Sequence, residues 1–134
     1  MQILTSKPPK EIYYACVSKF GVSFDTGTVF TVGDTIYAKH LMPEHLVVHE
    51  KTHIKQQKKY GTMAWWAKYL ESDEFRLEQE LQAYRNQYRW AKKNIKSRDD
   101  RAKLLRSIAL DLSGTMYGNI ISYQEAVTKI LNGS

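Results

Sequence analysis

Between Pro43 and Tyr60 nothing in the chain stops a helix, and Gly61 supplies a stop immediately afterwards. Pro43 followed by Glu44 suits a first helical turn, because proline has no N–H to lose there and a carboxylate favours the positive end of the helix dipole. The spacing therefore predicts a helix over 43–60. Inside it stands His49-Glu50-Lys51-Thr52-His53, an H-E-x-x-H pattern. Two histidines four residues apart lie one turn above each other on one helix face.

The remaining chain divides at about residue 40. Residues 1–10 read as a loose arm, with Pro8-Pro9 resisting regular structure. Glu11 to Phe20 has near-helical apolar spacing, with Gly21 after it. Residues 22–39 are rich in β-formers (Val22, Phe24, Val29, Phe30, Val32, Ile36, Tyr37) and carry turn signals at Asp25-Thr26-Gly27 and Gly33-Asp34. Two or three short antiparallel strands follow from this, about 21–25, 28–32 and 35–39. Beyond residue 40 helices dominate. Thr62 caps a Trp-rich one (63–70), Ser72 caps a long one (73 to about 96), Asp99-Asp100 start another that ends near Leu112, and Ser122 with Glu125 forms a capping box. The fold class is α+β: a small antiparallel sheet packed on several helices, one bearing H-E-x-x-H, in a single domain over 11–134.

The pattern has a chemical reading. Both imidazoles can reach one zinc ion at about 2.0–2.1 Å, and Glu50 flanks that ion closely enough to deprotonate a zinc-bound water. A catalytic zinc needs three protein ligands and an open position. No histidine follows His53, and Gln56 and Lys59 occupy the places where an extended H-E-x-x-H-x-x-G-x-x-H site needs glycine and histidine. The third ligand is thus a later carboxylate or an upstream imidazole. His45 reads as a helix-surface histidine, His40 as a loop histidine, and Asp111 as a remote alternative. On the 73–96 helix, Leu77, Leu81, Tyr84 and Tyr88 form an apolar stripe. With Leu77 at zero, Glu80 falls near about −60°, Glu74 near about +60° and Glu78 near about +100°. Periodicity leaves Glu80 and Glu74 as candidates.

His49-Glu-Lys-Thr-His53 followed by Glu80-Leu-Gln-Ala83-Tyr84 resembles the gluzincin metallopeptidases, in particular their minimal single-domain members. The resemblance covers roughly residues 28–90. It implies a zincin-like domain, one Zn²⁺ per chain, and Glu80 as third ligand, placed by the alanine–tyrosine pair. Gln82 stands where the family usually has a second glutamate, and the interval from His53 to Glu80 exceeds that of thermolysin-like members. The resemblance implies a peptidase with Glu50 as general base and acid. It further implies that an edge strand near Thr35-Ile36-Tyr37-Ala38 pairs with an extended peptide substrate, and it fits a phage or bacterial setting. An oxyanion donor is also required. Tyr84, Tyr88, Arg85 and Tyr117 are candidates, Tyr117 because the Tyr117-Gly118-Asn119 turn can bring a phenol over the metal. Trp65 and Trp66 read as core and lid packing.

Net charge is +6, with 20 basic and 14 acidic side chains. Residues 85–106 hold nine of the basic residues, on all sides of the helix; they read as its solvated face or, as a second kind of signal, as a basic nucleic-acid- or partner-binding module on a zincin scaffold with no catalysis. No recognised nucleic-acid motif accompanies the charge. Cys16 is the single cysteine, which excludes an intrachain disulfide and a thiolate zinc cluster. No apolar run is long enough to span a membrane, and the first residues lack the apolar stretch of a signal peptide, so a cytoplasmic protein without a membrane partner is expected.

Overall fold

The structure is a computed structural model that describes residues 1–133. Among these, six α-helices accompany one three-stranded sheet. In chain order they are β1 (Gln2–Leu4), α1 (Lys10–Phe20), β2 (Phe30–Val32), β3 (Thr35–Tyr37), α2 (Glu44–Tyr60), α3 (Thr62–Glu71), α4 (Asp73–Asn94), α5 (Arg98–Ser113), a 3-10 turn (Thr115–Tyr117) and α6 (Tyr123–Asn132). The α+β class holds, with helix predominating.

Local chemistry sets most helix ends. Gly21 ends α1 in the left-handed region (φ 68°), where its N–H reaches the Val17 carbonyl. Ser72 accepts from the Phe75 N–H to open α4, and Ser97 does the same for α5 through Asp100. Ser122 and Glu125 form the reciprocal capping box of α6. Four starts differ by one residue from the sequence reading, α1 beginning at Lys10 rather than Glu11 and α5 at Arg98 rather than Asp99. Pro43 is extended (φ −65°, ψ 156°) and sits just outside α2, while Thr62 lies inside α3 with Gly61 before it.

The sheet differs more. Residues 21–25 form no strand, because the Asp25-Thr26-Gly27 signal folds the chain back on itself. The Gly27 N–H bonds the Phe24 carbonyl and the Thr28 N–H bonds that of Ser23. Phe24 goes to the core, its N–H donating to the Tyr13 hydroxyl. Nor are residues 1–10 a loose arm, since β1 pairs in parallel with β3 (Ile3 opposite Ile36). β2 pairs antiparallel with the other side of β3 (Thr31 opposite Ile36), giving the mixed order β1-β3-β2. Thr35, Ile36, Tyr37 and Ala38 therefore do not form an exposed edge. β3 is the central strand with ladders on both sides, and the Ala38 N–H is taken by the Leu4 carbonyl. A peptide cannot add there without displacing β1.

The core is aromatic. Trp65 stacks on Tyr69 with ring centroids 4.8 Å apart, Trp66 packs edge-on against both, and Tyr84, Leu112 and Ile130 belong to the same buried cluster. Arg76, 1% exposed, bridges the Tyr69 and Tyr117 carbonyls, binds Asp73 and covers the Phe20 ring, thereby tying α3, α4 and the 3-10 turn together. Gly118 follows that turn at φ 95°, and a Cβ there would stand 3.4 Å from the Arg76 guanidinium. No helix among the described residues is long and apolar enough to cross a membrane.

Candidate metal centre

α2 and α4 pack side by side and antiparallel, with Thr52 meeting Asn86 and Gln56 meeting Gln79 and Gln82. At their interface α2 presents His49 and His53, and α4 presents Glu80; all three are buried. His49 Nε2 lies 3.1 Å from Glu80 Oε1 and 3.2 Å from His53 Nε2, and His53 Nε2 lies 3.2 Å from the same Glu80 oxygen. Three ligand atoms thus form a nearly equilateral triangle, a group that could hold a metal ion. A tetrahedral ion with bonds of about 2.0–2.1 Å needs its ligands about 3.3 Å apart, so the side chains fit with only small movement.

Neighbouring groups fix which atoms face the centre. Gln56 Nε2 donates to the Gln79 carbonyl and to Gln82 Oε1, so Gln56 Oε1 must face His53 Nδ1, 2.8 Å away, and accept its proton. That leaves the His53 Nε2 lone pair turned inward. Gln87 does the same for His49, with its Oε1 3.0 Å from Nδ1 and its amide nitrogen 2.8 Å from His45 Nδ1. Tyr69 donates to Glu80 Oε2 at 2.6 Å, holding Oε1 toward the imidazoles. Such outer contacts orient ligands in known metal sites.

Without an ion the centre attracts a proton. Burial works against charge on His53, but the Glu80 carboxylate, by charge and hydrogen bond, outweighs it with help from Glu50 and Gln56, pushing the pKa to about 9. Burial likewise opposes ionisation of Glu80, yet the His53 charge and the hydrogen bonds from both imidazoles hold it well below the usual carboxylate range. The two shifts are one interaction seen from either partner. Burial first, and then the Glu80 charge, keep the Tyr69, Tyr84 and Tyr117 phenols un-ionised.

A cavity of about 60 Å³, room for about two waters, opens beside the triangle. Glu50 lies on its wall. Thr31 of β2 donates to Glu50 Oε1 at 2.8 Å, and Glu50 Oε2 stands 3.9 Å from His49 Nε2. β2 is itself held to α2, because Gln57 binds the Thr31 carbonyl and the Gly33 N–H. Tyr117 shares the wall, its hydroxyl 2.8 Å from that of Tyr84, whose ring packs on His49. Trp66 lines the cavity too, and its indole N–H is the one buried side-chain donor without a partner among the described residues.

The other candidates fall outside. Glu74 and Asp111 are on the solvent-exposed side and not in the triangle; the surrounding protein only partly desolvates the Asp111 carboxyl, which raises its pKa against the opposing charge of His49. Arg85 binds the Lys129 carbonyl, Tyr88 packs in the core, and His40 is exposed in a loop. His45 is half-buried on Gln87 rather than a plain surface histidine, and desolvation lowers its pKa. Trp65 and Trp66 are core, as the sequence indicates, and Trp65 also donates to Gln79 Oε1.

Four contributors escape sequence reading: Gln56, Gln87, Tyr69 and Thr31. Gln56 alone left a signal, standing three residues after His53 on the same helix face. Comparison of the chain with protein-family models, with curated proteins and with solved structures returned no significant match.

Proposed function

We propose that this chain is a zinc-dependent peptidase of gluzincin type on a zincin-like scaffold. What chiefly supports the reading is the convergence of His49 Nε2, His53 Nε2 and Glu80 Oε1 within 3.2 Å of one another, with Glu50 beside them. Two imidazoles and one carboxylate are a donor set that suits zinc and leaves an open position. Zinc held there would supply Lewis acidity and a water acidic enough to ionise near neutral pH.

The chain's own groups carry the proton transfers. Thr31 occupies Glu50 Oε1 and leaves Oε2 as the basic atom facing the centre. Glu50 takes a proton from the water that attacks the scissile carbonyl carbon. It then delivers that proton to the amide nitrogen as the C–N bond breaks, giving a carboxylic acid and an amine. Tyr117, held by Tyr84 at 2.8 Å, is the donor for the oxygen that gains charge during attack. Core packing around the site excludes bulk water, which strengthens each of these interactions.

Metal analysis and peptide hydrolysis test the reading together. Wild-type protein should carry one zinc per chain, and His49→Ala should lose it. Glu50→Gln should keep the metal and lose hydrolysis of a mixed peptide library. Full activity in that variant would contradict the role given to Glu50.

A further inference from the structure

A different surface has no part in that chemistry. On α2, Lys51, Lys55 and Lys59 recur every four residues, and on α4 Arg85, Arg89 and Lys93 do the same. Four residues of helix rise about 6 Å, so each set is a ladder along one face. The helices are antiparallel neighbours, and the two ladders form facing walls of one groove. It consists of two adjoining hollows of about 620 and 390 Å³ that share Thr52, Lys55, Asn86 and Arg89. Glu78 is the single carboxylate on its walls. Six cations against one acid account for most of the chain's net charge of +6.

None of the six is in an ion pair among the described residues. Arg85 and Arg89 are pinned by the Lys129 and Gly133 carbonyls near the end of α6, which hold them in place without neutralising them. The groove floor is polar, with Asn86 donating to Thr52 and Gln56 to Gln82. Trp90 stands partly exposed at one end, and at the other Tyr60 packs on Phe75 with the Lys59 and Lys68 ammonium groups over its ring. The basic sequence run thus splits in three dimensions: only its first half faces this groove, and α2 supplies the opposite wall.

We propose that the α2–α4 groove binds single-stranded nucleic acid, the lysine and arginine ladders engaging phosphates and Trp90 offering a face on which a base stacks. A positive channel with aromatic platforms is how sequence-tolerant single-strand binding is built. Packed helices lie about 8–10 Å apart, so the seam accommodates one strand, whereas a double helix would bridge over it. An acidic peptide would use the charges but not the Trp90 ring. A membrane surface is flat, and the floor here is concave and polar. The proposal does not depend on the peptidase reading.

Fluorescence anisotropy of a fluorescein-labelled oligothymidylate with the full chain tests it. Saturable binding is expected, with affinity falling as salt rises by about 0.7 log units per log unit for each phosphate engaged. The triple variant Lys51→Glu, Lys55→Glu, Lys93→Glu should bind at least about tenfold more weakly and lose about 2 from that slope. An equal charge reversal away from the groove, Lys96→Glu, Lys103→Glu, Arg106→Glu, should bind like wild type. Both triples should keep the wild-type circular dichroism and zinc content. Absence of binding at low salt, equal weakening by the two triples, or tighter binding of polyglutamate or phosphatidylserine vesicles would each overturn the proposal.

Discussion

Raising the pH from neutral toward 9 should tighten zinc binding, because the metal and a proton compete for the same lone pair. His53 Nδ1 is committed to Gln56, so its second proton sits on Nε2, shared with Glu80 Oε1 at 3.2 Å. With a pKa of about 9, that site is almost fully protonated at neutral pH, which weakens metal binding there roughly a hundredfold. Affinity should rise tenfold per pH unit up to about 9 and then level. Competition against a chromophoric chelator measures it, and calorimetry in two buffers of different ionisation enthalpy should find about one proton released per ion at pH 7. The same shift acts on folding of the metal-free protein. His53 is raised from 6.5, so its contribution to stability is complete below that value and is lost as pH rises through about 9. Affinity that is flat between pH 7 and 9, with no proton released, would refute this reasoning.

Two substitutions probe the supporting shell. Tyr69→Phe removes the donor to Glu80 Oε2 and leaves a buried charged oxygen unsatisfied; urea unfolding should show a loss of about 1.5–3 kcal/mol, and zinc affinity should fall about 10–100-fold. Arg76→Met should destabilise by about 1–3 kcal/mol for each of the two carbonyls it leaves without a donor, those of Tyr69 and Tyr117; a Met variant as stable as wild type would show that the buried guanidinium is dispensable.

The parts of this molecule that could be read from sequence are those written in local chemistry. The α2 boundaries, the Ser72 cap and the Ser122–Glu125 box depend on residues within one turn of each other, and H-E-x-x-H needs only a helix to bring its imidazoles together. Glu80 was half legible. Hydrophobic periodicity centred the buried face of α4 near Leu77, yet that residue is only partly buried, while Arg76, Gln79, Glu80, Ala83 and Gln87 are fully inside. The buried face is rotated toward Glu80 and is largely polar, so an apolar count cannot find its centre. β1 was invisible because its three residues are all exposed and carry no alternation. Its pairing turned the expected edge at Thr35–Ala38 into the middle of the sheet. Gln87 and Tyr69 acquire their roles only from the packing of three helices, and nothing in their local sequence announces it.

The proposed chemistry needs three side chains to grip one cation, and a zinc titration across four alanine variants addresses that directly. His49→Ala, His53→Ala and Glu80→Ala should each abolish the single tight site, while Glu74→Ala, which alters an exposed residue on the same helix, should bind one zinc per chain as wild type does. A wild-type protein that takes up no zinc, or a Glu80→Ala variant that keeps its affinity while Glu74→Ala loses it, would contradict the account.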